Sequence, residues 1–429
     1  MNRCFKQLPR ANRLPWKVIF LMPVYSCMTA SAATSDLVPT DVIPLPEIMI
    51  LPPDAITPYV GAGVSYDNNV LRLPNSAAAQ ALGIGSGLSD VTRRAEAGVG
   101  LDEKFGQQHV TANLNLAKVN YNRFTILDHV DKNASGNLNW HAGSHVEGNV
   151  GANYSEGLTP FVDFHQLAQN IRRQVNEYAD AAWLFHPSWR VNAGLVHTDL
   201  SYDLASQNAL NNTQNKELVG LDYLASTGST FGLQLGHTRA NFPNPQQDGN
   251  LFVNNSYDQN EAKVKIDWLA TGITRVHFLG GWVNRKQDAF SVRNFSGFNS
   301  RLSVDWSPSA KVDVTVSAWR EIGAVDDLTS VYSLNRGESI AASWHYSEKV
   351  RLVAQYKYEK RDFSQSTDSG ALGVDPNDAL RNLALTLVYK PTLRWEIQLS
   401  ATRSTQTVSN FTGGGYSSNA VMLNTRYTF

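Results

Sequence analysis

Cysteine is almost missing from this chain: 429 residues hold two, Cys4 and Cys27. Both fall in a leading segment, so the remainder has no disulfide with which to close its fold. Long apolar runs are missing as well, and nothing after the leader approaches the ~18 consecutive apolar residues of a transmembrane helix. Charge is sparse, 17% of residues against the ~25% of ordinary soluble domains. It sums to −1, which argues against nucleic acid as a partner. What the chain does have is aromatic side chains, 10% of the total, at recurring places.

The leader is legible. "MNRCFKQLPRANRLPWK" carries five cations and no acid, "VIFLMPVY" is apolar but short, and "TASAA" offers an Ala30-x-Ala32 cleavage site. This is the pattern of an export signal over residues 1–32. A rival reading makes Val24–Cys27 a lipoprotein box with Cys27 acylated; the bulky Tyr25 and the good downstream site favour cleavage near Ala32. A Pro-rich lead over 33–57 follows, extended and unable to join a sheet interior.

From residue 58 to 429 one unit recurs. "NLNWHAGSHVEGNVGANY", "DAAWLFHPSWRVNAGLVHT", "KIDWLATGITRVHFLGGW" and "LVYKPTLRWEIQLSAT" are each an alternating strand, an aromatic, a short turn and a second alternating strand. Such units are antiparallel hairpins. Longer polar stretches separate them at 68–89, 125–132, 159–174, 203–215, 242–256, 288–293, 322–330, 364–378 and 406–416. Nine long loops alternating with eight tight turns, the first at "FGQQH", predict an all-β, up-and-down antiparallel barrel of 18 strands, with 16 as the alternative. Runs of about 10–15 residues suit a tilted bilayer crossing, whereas sandwich and propeller strands are about half as long. An even count puts both termini on one side, expected to be the periplasm, and the whole in the bacterial outer membrane.

In lipid every backbone polar group must be paired within the wall, so the sheet has to close, with its apolar face outward. The alternation then assigns sides. In "KVRLVAQYKYEK", Val350, Leu352, Ala354, Tyr356 and Tyr358 face lipid while Arg351, Gln355, Lys357 and Glu359 face the lumen. The predicted pore lining is Arg94, Glu96, Lys263, Lys265, Asp267, Arg275, Arg301, Asp305, Lys311, Asp313, Arg351, Lys357, Glu359, Arg394 and Glu396, together with Asp102, Glu147 and Arg426. With both signs balanced, such a wall has no strong preference for cations or anions, and many of the charges pair across strands. Aromatics ahead of successive turns (Trp140, Trp183, Tyr223, Trp268, Trp306, Tyr346, Tyr389) are expected to form a girdle at the membrane interface. Tyr427 and Phe429, at the end of "NAVMLNTRYTF", extend it. This last strand must seam with the first, "PYVGAGVSYD".

Catalytic and cofactor signatures are not found. There is no H-E-x-x-H or G-x-S-x-G. The i,i+4 pair His141 and His145 flanks a turn between strands, which suits solvated residues better than a metal. "VDD" at Val325–Asp327 and "DPND" at Asp375–Asp378 read as polar loop rather than calcium ligands. "GVGLDEKFG" and "FTGGGY" join no strand to a helix and so cradle no phosphate. No enzyme, metal or cofactor is expected.

Several stretches resemble a known family. "YVGAGVSYDNNVLRLPN", "AKVNYNRFTILDHVDKNASGNLNW", "AAWLFHPSWRVNAGL" and "YKYEKRDFS" are similar to the EpsL-like outer-membrane barrels of exopolysaccharide, exosortase-associated gene clusters. The resemblance spans nearly all of the chain after the leader, but it is carried by strand patterns and brings no catalytic residues. It implies passage of exopolysaccharide across the outer membrane, with an export lipoprotein or inner-membrane synthesis complex as partner. A terminal aromatic on an alternating strand likewise resembles the signal read by the barrel insertion machinery. The residues themselves leave open a general diffusion porin for small solutes, with loop 68–89 long enough to fold inward as a constriction, and a non-conducting barrel with glycan-binding loops.

Overall fold

The computed structural model describes residues 55–429, apart from 163, 165, 249–250, 289–293, 324–329, 366–376 and 410–413. The export signal, nearly all of the Pro-rich lead, Val325–Asp327 and Asp375 lie outside the described residues.

The strands are β1 (Ile56–Asp67), β2 (Asp90–Phe105), β3 (Gln108–Tyr121), β4 (His129–Ala142), β5 (Val146–Leu158), β6 (Ile171–His186), β7 (Trp189–Tyr202), β8 (Asn212–Leu224) and β9 (Thr230–Asn241). After a small hairpin, β10 (Gln246–Asp248) and β11 (Leu251–Val253), come β12 (Tyr257–Thr271), β13 (Thr274–Gln287), β14 (Phe295–Ser309), β15 (Val312–Gly323) and β16 (Ser330–Ser347). The series ends with β17 (Val350–Gln365), β18 (Asn377–Thr392), β19 (Trp395–Ser409) and β20 (Tyr416–Thr428). Among the described residues helix appears only as α1 (Ser76–Ala81), capped by the Asn75 side chain, and two short 3-10 turns.

Eighteen strands, all but β10 and β11, form one antiparallel sheet in which each pairs with its sequence neighbours. β1 pairs β2 on one edge and β20 on the other, Tyr59 facing Thr428 and Asp67 facing Ala420, so the sheet closes without a free edge. Following the pairing once around returns to β1 displaced by about 22 residues, which implies a strand tilt near ~40° and a wall radius of roughly 17 Å. Subtracting inward side chains still leaves a wide lumen.

The C-terminus is part of the seam. Phe429 N–H donates to Pro58 O at 2.9 Å, and the Tyr427 and Phe429 rings meet edge-on with centroids 5.3 Å apart. The barrel starts two residues earlier than expected, at Ile56, and takes in Pro58. Proline is tolerated because the carbonyl of Pro58 points toward β20, which ends there, so its missing N–H breaks no ladder bond.

Burial alternates along the strands of the barrel in inverted fashion. Leu233, Leu235, Leu385 and Leu195 are more than half exposed, whereas Asp222, Glu261, Asp378 and Arg361 are buried. Large apolar side chains open to the surroundings and charges packed inside are the pattern of a wall with hydrocarbon behind it. β18 departs from the simple rule: besides its outward Leu383, Leu385 and Leu387, it turns Leu380, Ala384 and Val388 inward, all buried.

Candidate functional site: the lumen wall and its two rims

Most of the residues predicted to line a pore stand on the inner face, and most of the acids there are held by cations. Asp222 accepts from Arg190 Nη2 at 2.9 Å and Asn192 Nδ2 at 3.0 Å, and Lys265 Nζ lies 2.8 Å from its other oxygen. Glu261 lies between Lys216 at 3.0 Å and Lys263 at 2.9 Å. Glu96 takes Arg426 at 3.0 Å and Arg94 at 3.4 Å, and Arg94 also pairs with Asp131. Glu359 meets Lys357 at 3.5 Å and accepts from Trp319 Nε1 at 2.9 Å. Arg301 pairs with Glu321, Glu396 with Lys390 at 3.1 Å, and Asp378 with Arg361. Arg351 is on the same face but meets no carboxylate at ion-pair distance among the described residues.

Two predicted lining residues are placed elsewhere. Lys311 and Arg394 occupy the two-residue turns 310–311 and 393–394 and are exposed at the rim. The strand alternation was extended across turns in which the chain reverses, so period-two parity ceased to apply.

The pairing has a consistent polarity. Asp222 is 1% exposed while Lys265 and Arg190 are 19% and 26%; Glu261 is 2% while Lys263 is 13%. Carboxylates lie against the wall, and the longer cations cover them from the lumen side. Around this cluster the wall holds a recess of about 300 Å³ lined by Glu147, Asn149, Tyr178, Asp180, Asn192 and Gln234 as well as Arg190, Asp222 and Lys265.

At the turn rim the order reverses and the partners become histidines. Asp313 and Asp102 are more exposed than His345 and His109, which sit 3.7 and 2.6 Å from them. Glu147 pairs with His141 at 3.5 Å, and His277 lies between Asp267 at 3.4 Å and Asp305 at 3.1 Å. Arg275 completes this group, 2.9 Å from Asp267. His145 contacts Ser144 Oγ at 2.9 Å.

The same end carries the predicted aromatic ring on its outer face. Trp183, Tyr223, Trp268, Trp306, Tyr346, Tyr389, Tyr427 and Phe429 are all exposed. Trp140 shares the outward parity but is flattened over Gly148, where a Cβ would come 2.6 Å from the indole. Rings pair across strands, Trp189 with Tyr223 at 5.3 Å, and along one strand, Trp183 with Phe185 at 5.9 Å.

The loop rim is closed over by a small core. Val70, Leu71, Leu73 and Ala79 of loop 68–89 pack with Phe124 and Leu127 of loop 122–128 and with Phe161 and Phe164 of loop 159–170. Polar bonds tie the three together. The Asp90 carboxylate accepts from the backbone N–H of Arg123 and Phe124, and Arg123 Nη2 donates to Ile84 O at 2.6 Å. Asp128 accepts from Tyr121 N–H at 2.7 Å and Asn120 Nδ2 at 2.9 Å, bonds that hold its carboxyl below the usual carboxylate range. Arg72, with φ of 54°, is fixed in the left-handed region by Asp67 at 2.7 Å and Ser418 Oγ at 2.9 Å. One residue crosses the mouth: Val162, buried, packs on the inward-facing Leu380 of β18 and Tyr416 of β20. Loop 68–89, expected to form a constriction, supplies half of this knot, but loop 159–170 makes the crossing. Sequence alternation had no way to signal it, since loops carry no periodicity.

Residues 239–429, from β9 to the end, match the family described as "Putative beta-barrel porin 2". No curated protein matches the chain. Among solved structures, OccK9 (OpdG) of Pseudomonas aeruginosa shares 11% identity, with 87% of this chain and 98% of that chain covered and a TM-score of 0.48. OccAB4 of Acinetobacter baumannii shares 11%, covers 88% and 99%, and has a TM-score of 0.47. The siderophore receptor PirA of P. aeruginosa shares 10%, covers 88% and 81%, and has a TM-score of 0.42. Likenesses this low add nothing to what the strand pairing shows. The chain is a closed 18-stranded antiparallel barrel, and its second half is similar to that outer-membrane, porin-like family.

Proposed function

We propose that this outer-membrane barrel lets small hydrophilic solutes diffuse through a lumen lined by its inward ion pairs, with the loop knot setting the size limit. The observation that carries this reading is the contact of Val162 with Leu380 and Tyr416, which takes a loop across the mouth of an otherwise broad cylinder. The paired inner charges, Arg94, Glu96, Lys263, Lys265, Asp267, Arg275, Arg301, Asp305, Lys357, Glu359 and Glu396 among them, provide with Arg351 a wet surface of nearly balanced sign. Neutral and weakly charged solutes suit such a surface better than strongly charged ones. The turn-rim aromatics anchor the barrel at the membrane interface, with turns and termini on the periplasmic side. No enzymatic step is assigned to the wall.

The resemblance to exopolysaccharide barrels gives a finer reading in which the solute is a secreted glycan, delivered by a periplasmic lipoprotein or inner-membrane complex. A mouth bridged by a packed hydrophobic cluster opposes a continuously threading polymer, so small-solute passage is the better supported of the two. Proteoliposome swelling with neutral sugars of rising size is the test. Entry of mono- and disaccharides with exclusion of larger oligosaccharides is expected. A barrel that is folded by heat-modifiable migration yet passes no sugar sinks the proposal. Loss of secreted polysaccharide with unchanged sugar uptake in a deletion strain transfers the function to export.

A further inference from the structure

The outer wall carries a second electrostatic pattern, unrelated to the lumen. Above the apolar band, toward the loop rim, outward-facing charges ring the barrel. In two stretches of the circumference, cross-strand partners alternate in sign. Lys132 faces Glu156, which faces Arg173. Arg239 faces Asp258, which faces Lys286. Opposite charges in register stabilise neighbouring strands, and like charges do the reverse.

From β15 to β17 the rule is broken. Arg320 lies directly opposite Arg336, and Arg336 directly opposite Lys360. Arg336 and Lys360 share one carboxylate, Asp362, at 3.3 and 3.2 Å, while Arg320 donates to Phe298 O; the exposed Glu338, two residues from Arg336 on the same face, makes no ion pair among the described residues. The next two strands add more positive charge. Arg381 of β18 stacks on Tyr358 at 5.2 Å, and Arg403 of β19 sits two residues from the position facing Arg381. Arg381 and Arg403 are exposed and have no carboxylate at ion-pair distance among the described residues.

Height and surroundings identify what could offset this row. Arg320 and Arg403 lie eight residues beyond the first residues of their strands, Val312 and Trp395, at the turn rim. At ~3.3 Å per residue and a ~40° tilt they stand roughly 20 Å up the wall, with Lys360 and Arg381 a little higher, near the top of the ~25 Å apolar band. Directly beneath are the exposed apolar side chains Ile340, Tyr356, Leu383 and Leu385. At ~4.8 Å per strand the five cations span roughly 20 Å of circumference, the width of one multi-chain lipid headgroup.

We propose that the outer faces of β15–β19 bind a phosphorylated glycolipid of the leaflet on the loop side. Its phosphates sit among Arg320, Arg336, Lys360, Arg381 and Arg403, and its acyl chains lie along the apolar residues below. The anion relieves the like-charge row, and the aliphatic wall supplies the second half of the site.

Native mass spectrometry of the detergent-purified barrel, with a diphosphorylated, hexa-acylated glucosamine disaccharide as probe, tests this. The comparisons are the same lipid with its phosphates removed, phosphatidylglycerol as competitor, an Arg336→Gln/Arg381→Gln/Arg403→Gln variant, and an Arg239→Gln/Lys286→Gln control. Heat-modifiable migration reports folding of each. The expected result is one lipid retained by the parent and the control, with retention about tenfold weaker in the triple variant and for the dephosphorylated lipid. Three outcomes overturn the proposal: equal retention of the dephosphorylated lipid, mole-for-mole displacement by phosphatidylglycerol, or self-association of the barrel that the triple variant abolishes, which assigns the patch to a second copy. The dephosphorylated lipid decides the matter on the parent protein even if the triple variant does not fold.

Discussion

The two rims of this barrel are built on opposite plans. At the turn rim, strands reverse through short turns, no described residue bridges the mouth, and acids paired with histidines stand open to solvent. At the loop rim, segments 68–89, 122–128 and 159–170 fold over the opening and bury a cluster of apolar side chains. A short turn has no side chains to spare for a core, whereas a loop of twenty residues can satisfy its own backbone and still offer an apolar face. The proposed reading places selectivity by size at one end and leaves charge at the other only a part in capture.

The contrast is open to direct attack, most strongly at the knot. Phe161→Ala with Val162→Asp and Phe164→Ala empties the cluster and puts a charge where Val162 is buried against Leu380. Single-channel conductance is expected to rise roughly twofold, with larger sugars admitted. An unchanged pore places the limit elsewhere.

A smaller effect is expected at the clamp in mid-wall. Asp222→Asn leaves Arg190 and Lys265 without their shared carboxylate in a buried setting, a change worth about 3 kcal/mol. The apparent melting of the β-sheet should fall, and reversal potentials in a salt gradient should move toward anions. Unaltered selectivity would show that this cluster does not face the conducting path.

At the turn rim the expected shifts are weaker still. Asp267→Asn with Asp305→Asn removes exposed charge that salt already screens, so cation preference should drop modestly and only at low ionic strength. A large, salt-independent change contradicts the plan of an open, uncovered rim. Acid should act on the knot first by a small step. Because the Asp128 carboxyl is held below its ordinary range, its stabilisation is present above that range and is lost as pH falls through its lowered folded value. Asp128→Ala should reproduce the acid-induced rise in protease access to loop 122–128 at neutral pH. Least of all, Lys311→Ala and Arg394→Ala should leave conductance as it is, since both sit in turns outside the lumen.

Much of the wall was legible from alternation alone. Loops 68–89 and 242–256 fall where the periodicity breaks, and the closing seam follows from a last strand that ends on Phe429. The expected loop 125–132 ends four residues beyond the observed loop 122–128 because "HVDKNAS", the first turn-distant part of β4, is too polar to read as strand. Leu380, Ala384 and Val388 escaped notice since β18 is apolar on both faces, which erases the period. The knot was invisible because it joins residues as far apart as Val162 and Tyr416, and separation of that kind leaves no local trace. The row of Arg320, Arg336 and Lys360 likewise needs the register between strands, which single-strand patterns do not contain.

Neutral polyethylene glycols of graded size, added to one side of a bilayer holding a single oriented barrel, measure the difference between the two mouths most directly. Polymers of intermediate size offered at the turn side should enter and lower the conductance, while the same polymers offered at the loop side should not, and the knot variant should abolish the asymmetry. Equal partitioning from both sides in the parent protein would contradict the account.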